Sequence, residues 1–274
     1  MSTAAGLRGT RWAPWRRRAG APTTMDLMGH LRELRRRIVF SIIAFVVVSI
    51  AAFFFYPVLL EVIRGPLCSL DSRYLGPQGC DLIFTKVGGG FMFRLKVTAL
   101  AGIFLASPVW LYQMWAFVTP GLTSKEKKYA LPFMLTSVTL FIGGGIIAYL
   151  ALPQGLRLLL TIGGEGLIAF LDAEKYLSFV GFMVLGFGVM FELPIFLFFL
   201  GLVGVVSVAQ LRKQRKGAFV GIVALAAVVT PSQDPYTLLA LAAPLYLMYE
   251  ATILLLRLVE RKRAKRNIDS ELAL

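Results

Sequence analysis

Residues 38–60 read IVFSIIAFVVVSIAAFFFYPVLL, an uncharged apolar stretch that decides the fold class. A helix needs about 20 such residues to cross the roughly 30 Å hydrocarbon core of a bilayer. Five further apolar runs follow along the chain. The six predicted spans are about 38–60, 97–118, 129–153, 176–206, 217–231 and 235–256. The sequence therefore predicts an all-α integral membrane protein with six transmembrane helices.

The composition supports a membrane protein and excludes a cytosolic enzyme. Of the 274 residues, 57% are hydrophobic and 16% are charged, whereas about a quarter are charged in an ordinary soluble domain. His30 is the only histidine, and no phosphate-binding loop or convergent nucleophile is present. We therefore expect no catalytic residue, no metal and no cofactor.

The basic residues are distributed unevenly about the predicted spans. Twenty-two of the 29 lie in the N-terminal segment, the 119–128 and 207–216 loops and the C-terminal tail, together with six acidic residues. The positive-inside rule then predicts cytoplasmic N and C termini and a cytoplasmic face near +16. Membrane orientation explains the net charge of +14, so nucleic-acid binding is not needed.

Three regions follow from these patterns. Residues 1–24 form a basic, Gly- and Pro-containing extension that we expect to be disordered, and translation starting at Met25 is an equal alternative. Residues 25–260 form the six-span membrane domain, and 261–274 form a basic cytoplasmic tail. The fifth span, at about 15 residues, reaches roughly 22 Å. Because this is less than the roughly 30 Å hydrocarbon core, we expect local bilayer thinning or partner helices beside the fifth span.

The predicted outer loop between spans one and two contains both cysteines, Cys68 and Cys80. On an oxidising face they can form a disulfide, and two separate reduced thiols are the alternative.

Two acidic residues interrupt the later spans. Glu192 lies near the middle of span four, in FELP, and Glu250 lies about two turns from the end of span six. An intramembrane carboxylate costs several kcal/mol unless it is protonated or paired, so each is a candidate functional residue. A neutral structural acid is the alternative for Glu192, and a side chain reaching toward the interface is the alternative for Glu250.

Two other acidic residues lie inside basic clusters. Glu33 belongs to HLRELRRR (30–37) and Glu126 to KEKK (125–128). Each has a local structural explanation: Glu33 and Arg37 have ion-pair spacing on a helix, and Thr123 to Glu126 has the pattern of a capping box.

Four segments together carry a family resemblance: HLRELRRR, SPVWLYQMWAFVTPGLTSKEKKY (107–129), FGVMFELPIF (187–196) and TPSQDPYTLLALAAPLYLMYE (230–250). In this order and topology they resemble TatC, the receptor subunit of the twin-arginine protein translocase, over about residues 25–260. The segment TPSQDP (230–235), between spans five and six, departs mildly from the family pattern. Whether Asp234 is the acidic residue of that pattern is therefore open.

The resemblance implies a concave, glove-like bundle with short fifth and sixth helices in the cytoplasmic membrane. It implies export of folded proteins by the proton-motive force, with TatA- and TatB-type single-span partners, twin-arginine signal peptides and a homo-oligomeric receptor complex. By motif matching, signal recognition falls on Glu33, Arg35, Phe117 and Glu126, and Glu192 matches the polar residue of span four. A proton-coupled transporter of a small solute that uses Glu192 is the alternative function.

Overall fold

The computed structural model describes residues 27–71, 75, 79–118, 130–162, 171–229 and 235–271. These residues form helices and no regular strand, which confirms the all-α fold class. The helices are α1 (Leu27–Phe54), α2 (Tyr56–Cys68), α3 (Gly89–Leu105), α4 (Ser107–Val118), α5 (Ala130–Ile162), α6 (Ala173–Met190), α7 (Glu192–Val203), α8 (Val208–Lys213), α9 (Arg215–Val229) and α10 (Pro235–Glu271). The extension 1–24, Met25 and Glu126 lie outside the described residues.

Breaks divide the first and fourth predicted spans. Within the first predicted span, α1 ends at Phe54 and α2 begins at Tyr56. Pro57 lies in the first turn of α2, where a backbone N–H would have no partner in the helix, so its absence costs no hydrogen bond. The region predicted as a loop from Glu61 is therefore helical as far as Cys68. In the fourth span, α6 and α7 meet at Phe191, and Gly204 ends α7 with a φ of 84° that glycine adopts without strain.

The second span differs most from its prediction. Its helix begins at Gly89, and its axis turns by 49° between α3 and α4. Pro108 lies in the first turn of α4 and has no N–H to continue the hydrogen-bond ladder of α3. The single straight helix predicted for residues 97–118 is therefore two helices that meet before Pro108.

Two basic residues of α3, Arg94 and Lys96, contact neighbouring elements. The Arg94 guanidinium lies 4.0 Å from the centre of the Phe53 ring and donates a 3.1 Å hydrogen bond to the Phe53 carbonyl oxygen. The Lys96 ammonium lies 3.3 Å from the Glu174 carboxylate. Both side chains therefore join α3 to neighbouring elements.

Close packing of α5 against α6 depends on glycine. A Cβ added at Gly144 would lie 2.8 Å from the Phe187 carbonyl oxygen and 2.8 Å from the Phe191 ring. Gly145 likewise faces the Phe104 ring, whereas Gly143 faces open space. Two of the three glycines in this stretch therefore allow neighbouring helices to approach α5 closely.

Four helical segments of the described chain are long and apolar enough to cross a bilayer, and α3 with α4 is a fifth if that bent pair crosses as one unit. The four are Met28–Phe54, Leu131–Thr161, Ala173–Val203 and Leu241–Lys262. Helix α9 has 15 residues, as short as predicted. The count of six spans and the cytoplasmic termini stay predictions.

Helix α10 continues past the predicted end of span six. Span six was predicted to end at residue 256, and the helix runs without interruption to Glu271. The first part of the basic tail is thus an extension of the last helix.

Candidate functional site

Glu33 and Arg37 form an ion pair one turn apart on α1, as their spacing predicts. Nε and Nη2 of Arg37 both donate to Oε1 of Glu33, with Nε at 3.0 Å. The other carboxylate oxygen, Oε2, accepts a hydrogen bond from no described residue. Both side chains are about one-fifth exposed. The carboxylate is therefore held in a fixed orientation with one oxygen available.

Arg37 also joins α1 to α4. Its Nη1 donates a 3.3 Å hydrogen bond to Oε1 of Gln113. Around this contact an apolar groove of about 460 Å³ runs between α1 and the α3–α4 pair. We call it the α1–α4 groove; its lining includes Leu34, Arg37, Phe45, Trp110, Gln113 and Phe117. The groove thus has a charged, hydrogen-bonded edge and an apolar interior.

Phe117 lines the α1–α4 groove and contacts α1 directly. Its ring stacks on the His30 imidazole, with the ring centres 4.3 Å apart and the planes inclined by 24°. His30 lies one helical turn before Glu33 on α1. The structure therefore brings Phe117 and Glu33 to the same end of the groove.

The remaining two predicted recognition residues are not part of this cluster in the described chain. Arg35 is exposed and lies two residues from Glu33, so it points to the opposite side of α1. Glu126 lies outside the described residues. Both assignments stay predictions.

Glu192 lies at the start of α7 and contacts α5. The Ser137 hydroxyl, which is fully buried, donates to Oε2 of Glu192. Its Oε1 is buried and has no hydrogen-bond partner among the described residues. The hydrogen bond of Glu192 within the described chain is therefore the one from Ser137.

Glu250 has two partners near the N-terminal end of α9. Arg215 Nη2 donates to its Oε2 at 2.7 Å, and the Tyr246 hydroxyl donates to its Oε1 at 3.2 Å. The Tyr249 hydroxyl donates to the carbonyl oxygen of Leu211 in α8 at 2.8 Å. Glu250 therefore links α10 to α9 in a polar cluster of its own.

The segment between α2 and α3 is fixed by covalent and polar contacts. Cys68 and Cys80 are joined by a disulfide, and Arg64 pairs with Asp81. After the disulfide, Ile83 and Asp172 form an isolated parallel β-bridge.

Asp172 caps α6 by accepting from the backbone N–H groups of Glu174 and Lys175, each at 3.1 Å. Its other oxygen accepts a 2.7 Å hydrogen bond from the Thr85 hydroxyl. This bond and those from the backbone hold the pKa of Asp172 below its ordinary value.

Sequence reasoning missed two polar partners, Gln113 and Ser137. Gln113 is a single polar residue inside the apolar run 97–118, and Ser137 is one of several hydroxyl residues in span three. A polar side chain inside a predicted span is the signal that can identify such residues, because it needs a partner there.

The chain matches the sequence profile of TatC, the Sec-independent protein translocase protein, over residues 29–244. It is 41% identical to the Sec-independent protein translocase protein TatC of Frankia casuarinae, over 94% of this chain and 72% of that protein. The same protein of Aquifex aeolicus is 37% identical, over 87% of this chain and 98% of that protein.

A crystal structure described as the twin-arginine translocase receptor TatC in DDM has the same fold. It superposes with a TM-score of 0.70 at 36% identity, covering 82% of this chain and 98% of that one. These likenesses favour protein translocation over the transport of a small solute. The chain belongs to the TatC family of Sec-independent protein translocase proteins.

Proposed function

We propose that this chain is the signal-receiving subunit of a twin-arginine translocase. In this role it lies in the cytoplasmic membrane with both termini in the cytoplasm and binds the twin-arginine signal peptides of folded cargo. Single-span partners of the TatA and TatB type then act with it to export the cargo, and the proton-motive force supplies the energy.

The observation that carries the proposal is the arrangement of Glu33. Arg37 occupies one carboxylate oxygen, and the other accepts from no described residue. Charge-assisted hydrogen bonds from a guanidinium to a carboxylate are about twice as strong as neutral ones. One signal arginine can therefore bind Glu33 without displacing Arg37.

Electrostatics explains why a specific carboxylate is needed. The predicted cytoplasmic face carries about +16, and an approaching pair of guanidinium groups is repelled at distances within the Debye length, about 8 Å at physiological salt. Glu126, in its own basic cluster, is the proposed acceptor for the second arginine. Arg35 is exposed on the other side of α1, so its proposed part in recognition rests on the family resemblance and not on a position beside Glu33.

The α1–α4 groove supplies the apolar part of the proposed site. Phe117 and the aliphatic lining next to Glu33 offer a surface for the hydrophobic region of a signal peptide. Burial of apolar surface contributes roughly 25 cal/mol per Å². Charge recognition and apolar contact are then adjacent, as they are in a twin-arginine signal.

The proposed partners are expected beside α9. This helix is too short to cross a bilayer unaided, and both Ala224 and Leu225 are exposed on it. Cysteine substitution at these positions should give crosslinks to a single-span partner. An absence of crosslinks from every exposed position of α9 would count against this placement.

Co-purification tests the receptor role. The full chain in detergent is expected to retain a twin-arginine signal peptide. It should release the same peptide when both arginines are changed to lysine, because the lysine ammonium lacks the planar guanidinium that donates two hydrogen bonds to one carboxylate. Glu33→Gln should reduce retention, whereas Glu61→Gln, an exposed carboxylate on α2, should not. Equal retention of both peptides by the unaltered chain would contradict the proposal.

A further inference from the structure

A second groove lies between α5, α7 and α10, separate from the α1–α4 groove. Its volume is about 660 Å³, and we call it the α10 groove. Phe133, Ile195 and Thr252 are buried in its walls, whereas Leu255 is half exposed. It is therefore open along one side.

The dimensions of the α10 groove suit a lipid chain. Its lining on α10 runs from Met248 to Lys262, which is about 21 Å at 1.5 Å per residue. One leaflet of the hydrocarbon core is about 15 Å thick. The groove is therefore long enough for one acyl chain of a single leaflet to lie along it.

The polar atoms of the lining already have partners. Thr136 donates to the Pro132 carbonyl oxygen at 2.9 Å. Thr252 donates to the carbonyl oxygens of Met248 at 2.9 Å and Pro194 at 3.3 Å. In the described chain, every buried side-chain nitrogen or oxygen that lacks a partner belongs to a residue outside this lining. A polar ligand would thus find no unpaired side-chain partner inside the groove, whereas a hydrocarbon chain would leave the existing hydrogen bonds intact.

One end of the groove is positively charged. Lys262 is exposed and is the last of the α10 residues that line the groove. No acidic residue belongs to the lining. A lysine close to the membrane surface attracts anionic headgroups. The combination of an apolar interior and a cationic end matches an anionic phospholipid.

We propose that the α10 groove binds one anionic phospholipid, with an acyl chain against Phe133, Ile195 and Thr252 and its phosphate beside Lys262. The lipid fills the space between α7 and α10 and leaves the α1–α4 groove free. This inference is independent of signal binding, because it concerns a different set of residues.

Native mass spectrometry of the purified full chain tests the headgroup contact. The probes are phosphatidylglycerol and phosphatidylcholine with identical acyl chains. We expect one phosphatidylglycerol to bind preferentially, and Lys262→Gln to reduce its affinity about fivefold, the effect of one lysine near a membrane surface. Arg261→Gln, an exposed neighbour outside the lining, should change it less than twofold. Equal losses from the two variants, or no preference in the unaltered chain, would overturn the proposal.

A second pair of variants tests the apolar contact. Ala251→Trp fills the groove and should remove the bound lipid, whereas Leu254→Trp, on the lipid-exposed side of the same helix, should retain it.

A photoreactive phosphatidylglycerol added to the unaltered chain gives a readout that needs no variant. Labelling within 132–140, 194–202 or 248–262 supports the site. Labelling confined to the exposed face of α1, or crosslinking of a partner protein's helix from Ala251 in place of lipid, would overturn it.

Discussion

The Ser137 hydroxyl donates a hydrogen bond to Oε2 of Glu192 and thereby joins the N-terminal part of α5 to the start of α7. The contact spans 55 residues of sequence and lies where α6 and α7 meet at Phe191. Because Oε1 has no partner among the described residues, the carboxyl group is only half satisfied. Glu192 is thus positioned by Ser137 and retains one acceptor for another group.

Substitutions at Glu192 separate a structural role from a transport role. Glu192→Gln keeps an acceptor for Ser137 and should fold normally. Glu192→Leu leaves the buried Ser137 hydroxyl without its acceptor and should lower the free energy of unfolding by about 0.6–1.7 kcal/mol. Adding Ser137→Ala to Glu192→Leu should recover that stability without recovering export, measured with a folded reporter cargo. Normal export by Glu192→Leu would show that the acid is merely tolerated.

The Arg215–Glu250 pair should stabilise the contact between α9 and α10. Arg215 is 42% exposed and Glu250 26%, so we expect a coupling of about 1 kcal/mol, the upper end for exposed pairs. Glu250→Gln and Arg215→Gln should each lower the melting temperature, and the exchanged pair Arg215→Glu with Glu250→Arg should recover part of the loss. A double-mutant cycle measures the coupling, and a coupling of zero would contradict the assignment.

The Cys68–Cys80 disulfide closes a short loop between α2 and α3. The two residues are 12 apart, and closing a loop of about 15 residues restricts the unfolded chain by about 3 kcal/mol. Replacing both cysteines by serine should therefore lower the apparent melting temperature. Reductant should lower it for the unaltered chain and leave the double-serine variant unchanged. Equal responses to reductant in both would contradict a stabilising bridge.

Glu126 has two explanations that predict different results. If it acts only within a capping box with Thr123, Glu126→Gln should be mild, because Gln can also bond to the cap backbone. If it pairs with a signal guanidinium, the same change should weaken signal binding about ten- to a hundredfold while the protein stays folded. Peptide binding and melting temperature, measured on one preparation, distinguish the two. Unchanged binding by the folded variant leaves only the capping role.

Local patterns were predictable from the sequence, and contacts between distant segments were not. The Glu33–Arg37 pair follows from helical spacing, and the role of Gly144 follows from a glycine stretch inside a span. The contact of Arg37 with Gln113 joins residues 76 apart, and no periodicity specifies which helix faces are neighbours. The 49° bend before α4 was missed because Pro108 can either soften a helix or start a new one.

The affinity of a twin-arginine signal peptide for the Glu33→Gln variant is the most direct test of the receptor role. The change removes one negative charge and keeps the size of the side chain, so the fold and the α1–α4 groove should persist. We expect binding to weaken by about 1.5–3 kcal/mol, roughly ten- to a hundredfold, and a twin-lysine peptide to bind poorly to the unaltered chain. Binding by the folded Glu33→Gln variant within twofold of the unaltered chain would contradict the account.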